Sequence, residues 1–414
     1  MKRRDKRVLI VGGGLAGLSC AIHLHRKGAL PLVFEGANTV GGRVNTDIVD
    51  GFRLDRGFQV FLDAYPVAGS ILDLPRLKLR PFRAGALVFV DGKMRRVMDV
   101  FRHPSDVLGS AFAPVGSVFD KLRIARLRWR LLHTGIPDIA RHEDLSTEDY
   151  LRREGFTARM IDVFFRSFYG GIFLERELRT SSRMFEFTFK MFSEGNATLP
   201  ARGMGEIPRD LASKLPPAAI RLNARVASIG SRSVTLDSGE HIDADAVVVA
   251  TDAASAADLI PQLQPANVEW NSVTCVYFAA PRSPLNEAII ALNGSGSGLV
   301  NNVCVPSDVS AEYAPEGLSL ISISVLGTQE PAQLERKVLE ELEAWFGGCV
   351  WEWRHLRTDR IIRALPAMPP GGHQLAGILE RNGVIVCGDH CWSSSIEGAI
   401  ISGKTAAEAI FNRH

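Results

Sequence analysis

The sequence predicts an α/β fold in two parts: a domain built on a parallel sheet, and a second domain of mixed sheet and helices. Three observations predict it. Arg7 to Phe34 reads as strand, glycine turn, helix and strand, with Glu35 closing the unit. Far downstream, Ala246 to Ala250 is a short all-apolar run, as strands buried on both faces of a parallel sheet are, and Val384 to Cys387 is a strand ending on Gly388-Asp389. Between them, Ala86–Val90 and Met94–Met98 flank Asp91-Gly92, a hairpin signal that belongs to a different sheet.

The first element is the most specific. In Gly12-Gly13-Gly14-Leu15-Ala16-Gly17 the first glycine allows the tight turn, Gly14 lets the main chain approach a pyrophosphate, and Gly17 lets the helix lie close on the sheet. The amides that open the helix carry partial positive charge, so a diphosphate binds there without a basic side chain. Glu35, followed by Gly36, stands where an acid accepts the ribose hydroxyls of an adenosine. No arginine follows it to take a 2′-phosphate, which argues against NADP. The unit is a Rossmann-like dinucleotide site.

Residues 36–60 say which dinucleotide. Gly41-Gly42-Arg43 follows the acid closely, and Asp50-Gly51-Phe52-Arg53-Leu54-Asp55-Arg56-Gly57-Phe58-Gln59 comes next. Here the chain resembles the flavin-containing amine oxidase superfamily, which includes monoamine oxidases, protoporphyrinogen oxidases and carotenoid desaturases. The resemblance implies a Rossmann-like FAD-binding domain of the GR2 type. It implies that Gly41, Gly42 and Arg43 wrap the FAD diphosphate, and that Gly57, Phe58 and Gln59 run past the flavin. Arginine suits the first task because its donor fork matches phosphate.

Composition sets the outer limits. A chain of 414 residues, 46% hydrophobic and 23% charged, is globular and long enough for two domains. No apolar run reaches the ~18 residues of a membrane span. No signal peptide is visible, so the expected location is the cytoplasm. The six cysteines are scattered and form neither a disulfide framework nor a zinc pattern, so no metal is expected. The net charge of +2 hides an asymmetry. Arg76 to Thr134 holds 13 Lys and Arg against 4 Asp and Glu, a net of +9, and the rest of the chain carries −7. Aromatics do not interleave with these cations as a nucleic-acid platform requires, so no nucleic acid is expected.

From His103 to about Lys190 the pattern is helical. In the basic stretch 121–134, Ile124, Leu127 and Leu131 form one apolar stripe; Leu122, Trp129 and Leu132 lie on another face; Arg123, Arg126 and Arg130 run between. Two stripes suit a helix packed between neighbours, while peripheral contact with a membrane stays open. Phe164 to Phe192 holds eight phenylalanines, either a helical core or the wall of an apolar pocket. Tyr169-Gly170-Gly171-Ile172-Phe173 resembles a segment of protoporphyrinogen oxidases. Lys190 and Lys404 read as helix-surface lysines.

Pro75–Pro81 reads as turns, Pro208–Lys214 as a helix, Ile220–Leu236 as two strands, and Glu330–Phe346 as a helix. Gly294-Ser295-Gly296-Ser297-Gly298 has no strand leading straight in and no helix after it, so it reads as a flexible loop. Leu199 to Gly205 resembles the family turn that returns the chain to the FAD domain, with Arg202 in place of a glycine. The resemblance further implies that Val226 meets the adenine and that the strand ending at Ala250-Thr251 underlies the diphosphate. It places Asp389, after Gly388, on the ribityl chain, and points the helix opening at Ser395, Ile396, Glu397 and Ala399 toward the flavin pyrimidine. A helix N-terminus suits the negative charge of reduced flavin there.

Trp392 to Ala399 aligns with a monoamine oxidase stretch whose cage tyrosine is here Ser395, while Ser394–Ala399 and Ser402-Gly403-Lys404 look more like plant-type phytoene desaturases. Arg363 to Glu380 holds no cysteine where some relatives tether FAD, so non-covalent FAD is expected, with Cys387, Cys391 and His373 the residues to test for a tether. No residue stands out as a catalytic base. The expected domains are FAD-binding segments 1–75, 199–262 and 366–414, and substrate segments 76–198 and 263–365. The expected function is dehydrogenation of an apolar, carotenoid-like substrate, with electrons passing to oxygen, a quinone or a redox protein. An amine or porphyrinogen oxidase, a redox-neutral isomerase and a non-catalytic flavin protein are the rivals.

Overall fold

The computed structural model describes residues 6–99, 101–102, 115–260, 268–330, 332–371 and 378–412. The helical reading over 103–114, the boundary expected at 262–263, and His373 lie outside them.

Arg7–Val11 lies inside a six-stranded sheet ordered Ile220–Arg221, Leu30–Phe34, Arg7–Val11, Ala246–Val249, Val384–Val386, Leu379–Arg381. Every pairing is parallel except the last. Val8 sits beside Ala246, and Val249 beside Val386, so the two ends of the chain and a central segment share one sheet. Each residue of Ala246–Val249 and Val384–Val386 is buried, because both faces of the sheet are covered. Val8 and Ile10 pack toward the helices Leu15–Arg26 and Ile396–Asn412; Leu9 and Val11 pack toward the meander Val226–Ile229, Ser233–Leu236, His241–Asp243. The two helices cross closely. A methyl on Gly403 would lie 2.1 Å from the Ala16 carbonyl oxygen, so only a bare Cα permits the contact.

The second sheet has seven strands, ordered Arg354–Pro366, Trp270–Ala280, Ser319–Leu326, Val300–Cys304, Ile290–Asn293, Gly85–Val90, Lys93–Met98. It is antiparallel except where Ile290–Asn293 runs beside Gly85–Val90. The Asp91-Gly92 turn has both residues at positive φ, 51° and 69°, the hairpin geometry its composition calls for. Alternate residues divide the sheet's faces. Val276 and Phe278 pack under helix Leu334–Phe346, while Val273, Cys275 and Tyr277 face the first sheet's core. A helical layer lies across the remaining side: Val118–Leu132, Thr147–Arg153, Arg166–Phe173 and Ser182–Glu194, packed through Leu127, Leu131, Tyr150, Phe165, Tyr169 and Phe185.

Several local expectations change. Pro75–Pro81 contains the end of a short helix, Leu74–Leu77, and a short strand, Arg80–Pro81. The expected helices at 208–214 and 330–346 run Glu206–Ala212 and Leu334–Phe346, the latter starting after Gln333 turns left-handed at φ 63°. Ile220–Leu236 is three strands rather than two, because Asn223 at φ 52° redirects the chain. The 294–298 loop is held rather than loose: Asn293 Nδ2 donates to the carbonyls of Ser297 (2.7 Å) and Val300 (2.8 Å), and Glu341 accepts the Leu299 amide (2.7 Å). Lys190 is not a surface lysine. It is buried, and its Nζ donates to the Leu131 carbonyl (3.0 Å) and to Glu194 (2.6 Å), closing the C-terminus of helix Val118–Leu132. That helix buries only one of its apolar stripes. Leu122, Trp129 and Leu132 stay exposed. No described helix is long and apolar enough to cross a membrane.

Candidate functional site

One cavity of about 1560 Å³ runs between the two sheets. Its first end is the glycine turn. Gly12, at φ 106°, receives a tight packing neighbour: a methyl there would lie 2.8 Å from the Ala250 carbonyl oxygen. A methyl on Gly17 would lie 2.0 Å from the Gly12 carbonyl oxygen. Gly14 differs. Its φ of −73° suits any residue, and a methyl there meets nothing within 4 Å except the cavity. Packing therefore explains Gly12 and Gly17 but leaves Gly14 to be explained by what enters the cavity. The helix it opens has no side-chain cap and no acid in its first turn. Its first intrahelical bond is from the Leu18 amide to the Gly14 carbonyl, so the preceding amides are left for an anion.

Gly41 and Gly42 close the turn from the opposite side. The Gly41 amide donates to the Gly13 carbonyl (2.9 Å), and both Gly41 and Gly42 have positive φ. Glu35 lies at the end of its strand, where its carboxylate accepts the Gly13 amide at Oε2 and the Ala37 amide at Oε1, both at 2.8 Å. These bonds aim the carboxylate and leave lone pairs for hydroxyls. Gly36 and Val226 border the same end, with Gly36 packed on Arg225. Ala250 and Thr251 form the floor, held by the Ala250 amide on the Val11 carbonyl (2.8 Å).

Arg43 and Asp389 do not stand apart as the sequence implied, one on phosphate and one on ribityl. They form a two-pronged ion pair, with Nη1 to Oδ2 at 2.8 Å and Nη2 to Oδ1 at 2.6 Å. Arg43 also lies over the Trp270 ring, 5.5 Å from its centre. Burial alone would raise the Asp389 carboxyl, but the Arg43 charge and its two bonds hold it below the usual carboxylate range. Both residues still line the cavity, beside Gly388.

Gly57, Phe58 and Gln59 pass along the middle. Gly57, at φ 85°, donates its amide to the Tyr277 hydroxyl (3.1 Å), which in turn donates to the Asp55 carbonyl (2.6 Å). Gln59 Nε2 donates to the carbonyls of Arg43 (2.9 Å) and Arg56 (3.0 Å). Those two acceptors fix the amide's orientation and leave Oε1 buried with no hydrogen-bond partner. Such an orphan acceptor on a cavity wall fits a ligand that brings a donor.

The C-terminal helix opens against the same space. Ser395 caps it, its Oγ accepting the Gly398 amide (2.9 Å), and Ser395, Ile396 and Ala399 line the cavity. Glu397 does not. Its carboxylate turns away and accepts the amides of Val67 and Ala68, each at 2.8 Å, capping helix Pro66–Ile71. Pro66 has no amide to offer, so these are the first open donors of that helix. Burial pushes the Glu397 carboxyl above its usual range, against the pull of the two amides. Gly13 and Gly17 are likewise behind the wall rather than on it.

The far end is apolar. Phe164 and Phe168 stack at 5.6 Å between centres with rings 9° apart, and Phe192 packs on Phe168 at 5.4 Å. A π-helical turn over Ile161–Phe165 leads into this wall; such turns occur often at functional sites. Phe189 lines it too, while Phe173, Phe185 and Phe187 pack elsewhere, so the phenylalanine-rich stretch is both core and wall. Val273, Leu292, Asn302 and Ser324 of the second sheet complete it, with Tyr65, Met98 and Leu122. Sequence reading singled out none of these as wall. Strand alternation marked a face, but only the folded sheet says what that face meets. Arg363 was also missed; it borders the cavity and pairs with Asp252 (3.2 Å). Asp99 is the carboxylate of the apolar end among the described residues, and Arg128 (2.8 Å) neutralises it.

Comparison with known proteins identifies the assembly. The chain matches the family model of flavin containing amine oxidoreductases over residues 15–411. It is 22% identical to the chloroplastic/chromoplastic 15-cis-phytoene desaturase of an Oncidium hybrid cultivar, across 99% of this chain and 78% of that protein. It is 26% identical to protoporphyrinogen oxidase 2 of Arabidopsis thaliana, over 40% of this chain and 32% of that protein. The crystal structure of an oxidoreductase from Methanosarcina mazei has the same fold, with a TM-score of 0.75 at 18% identity, covering 97% of this chain and all of that one (100%). The chain belongs to the flavin-containing amine oxidoreductase family and is a flavin-dependent oxidoreductase.

Proposed function

We propose that the protein binds FAD without a covalent link and dehydrogenates an elongated apolar molecule of the polyisoprenoid kind. The carrying observation is the continuous cavity between the sheets. A pocket for one ordinary ligand spans about 300–1,000 Å³, and this one, at about 1560 Å³, has room for a dinucleotide and a large second molecule in line. The glycine turn, the Leu15–Arg26 helix opening and Glu35 suit the adenosine diphosphate half of FAD. Gln59 Oε1 and the helix opening at Ser395 suit the flavin half. Bound there, FAD would supply a hydride acceptor at N5.

The chain's own part is binding, orientation and exclusion of water. Phe164, Phe168 and Phe192 would flank an apolar chain, and with Asp99 neutralised the described residues of this end offer no bare carboxylate to attract a cation. Ser395 stands where amine-oxidising relatives carry a cage tyrosine, which disfavours an amine substrate. The cysteines nearest the Gly388-Asp389 strand end support the absence of a tether. Cys387 and Cys391 are buried, and burial pushes both thiols up, Cys391 to about 12. A thiol held neutral is a poor nucleophile toward a flavin methyl.

Two measurements test the reading. Acid precipitation should leave the yellow colour, identified as FAD, in the supernatant; colour in the pellet or release of FMN overturns the cofactor assignment. Anaerobic mixing with an acyclic polyene should bleach the flavin, whereas a primary amine should not. The reverse pattern would assign the protein to amine oxidation.

A further inference from the structure

We propose that helix Val118–Leu132 and the neighbouring Phe101 dock on an anionic lipid bilayer, so that the cavity opens directly into the membrane. The helix is well formed at its start: the Ser117 hydroxyl accepts the Asp120 amide and Asp120 reaches back to the Ser117 amide. Its inner stripe, Leu127 and Leu131, is buried. Its outer stripe is as apolar as the inner one and faces water: Val118 is 59% exposed, Phe119 68%, Leu122 61% and Trp129 66%. These lie at spacings of three, four and seven residues, on one helical face. Phe101, 52% exposed, sits beside the helix with Arg128 over its ring at 5.1 Å.

The surroundings select the occupant. The helix carries five cations, Lys121, Arg123, Arg126, Arg128 and Arg130, and one acid, the buried Asp120; Arg123, Arg128 and Arg130 pair with Asp120, Asp99 and Glu154, while Arg126 stands exposed on the helix. The stretch Arg76–Thr134, which contains this helix, carries +9 and the rest of the chain −7, a bias that favours this part of the chain toward an anionic surface. An apolar stripe flanked by cations is the pattern of a helix lying in a membrane interface. Position supplies the second argument. Phe101, Val118 and Leu122 are both exposed and part of the cavity lining, so the stripe is the rim of the cavity. A protein partner seated there would stopper the cavity. A bilayer would extend its apolar wall.

The experiment uses the flavin-loaded protein and vesicles of phosphatidylcholine alone or mixed equally with phosphatidylglycerol, read by co-sedimentation without turnover. It is therefore independent of the substrate proposed above. Binding is expected to the mixed vesicles, weaker to the neutral ones, and falling with added salt. The double variant Phe119→Glu, Trp129→Glu changes exposed side chains outside the cavity lining and should bind at least about tenfold more weakly, with unchanged flavin content and thermal midpoint. Brominated acyl chains should quench Trp129 fluorescence, and Trp129→Phe should lose that quenching while still binding. Failure of the parent to bind mixed vesicles, or equal binding by the double variant, overturns the proposal. So does self-association that the double variant abolishes, which would assign the face to a second copy of the chain.

Discussion

The two ends of the cavity are made differently. At the glycine-turn end the wall is main chain: Gly12, Gly14, Gly41 and Gly42, with amides at the opening of helix Leu15–Arg26. At the far end it is side chain: Phe164, Phe168, Phe189 and Phe192 on helices, with Val273, Leu292 and Ser324 on strands. A main-chain wall needs particular residues at particular positions, because few φ and ψ values and no Cβ will do. A side-chain wall needs apolar volume, and many residues supply that. The first end should therefore break sharply under small changes, and the second gradually.

Gly14→Val tests that contrast most directly and should have the largest effect. The backbone at Gly14 accepts any residue, so the apoprotein should keep its thermal midpoint. The new side chain would fill the space assigned to the diphosphate, and flavin affinity should fall at least about a hundredfold, ~3 kcal/mol. Gly17→Ala should do the opposite, since its methyl meets the Gly12 carbonyl oxygen and destabilises the unit before any ligand arrives. Equal flavin binding by Gly14→Val in titration would remove the diphosphate from the turn.

Behind the cavity wall, Asp55 ties the first sheet's segments to the second sheet. Its carboxylate accepts the Met204 amide (2.8 Å) and the Tyr313 hydroxyl (2.7 Å), and also the Thr46 hydroxyl. Burial nonetheless pushes its carboxyl from 3.8 up to about 6. A raised folded value means that the folded protein holds a proton that the unfolded chain has released. In that window the folded state binds more protons, so stability falls as pH rises from about 4 to about 6, by at most ~3 kcal/mol. Denaturant unfolding across that range should show the slope, and Asp55→Asn should lack it. Identical slopes would mean that the three donors keep the carboxylate ionised throughout. Asp389→Ala should cost less. It strands the Arg43 guanidinium, but that side chain is 35% exposed and water can take over, so about 1–3 kcal/mol is expected by the same measurement.

The same contrast decides what was legible in the sequence. The turn from Gly12 to Gly17, the acid at Glu35 and the Gly41-Gly42 pair are spelled out because each constraint is local. Glu397 was not legible. An acid in the first turn of a helix looks the same whether it faces a ligand or, as here, caps Pro66–Ile71 from more than three hundred residues away in sequence. Arg43 and Asp389 were each readable as cavity residues, but their pairing depends on how two distant segments meet. The second outward stripe on helix Val118–Leu132 was visible as a pattern, and it read as a packing surface, since sequence cannot say that none of the described residues covers it. Asn302 and Ser324 carried no signal at all. They are polar residues in apolar strands, and only their position in the cavity lining gives them a place in the site.

Phe168→Ala should have the smallest effect and bears on the second end alone. Phe168 stacks on Phe164 and touches Phe192 and Tyr169, so its ring is held by three others. Removing it leaves those rings free to relax into the gap, and a wall made of volume tolerates that better than a turn tolerates a methyl. Flavin affinity should not change, because the described contacts of this ring are with Phe164, Tyr169 and Phe192, not with the glycine turn. An apolar substrate loses part of one face of its channel, roughly a ring's worth of buried surface, and its KM should rise about tenfold. If kcat falls while KM holds, Phe168 orients the reacting bond rather than lining the path to it. If flavin affinity falls as well, the two ends are not independent, and the division between a main-chain cradle and a side-chain channel fails at the point where Gln59 separates them.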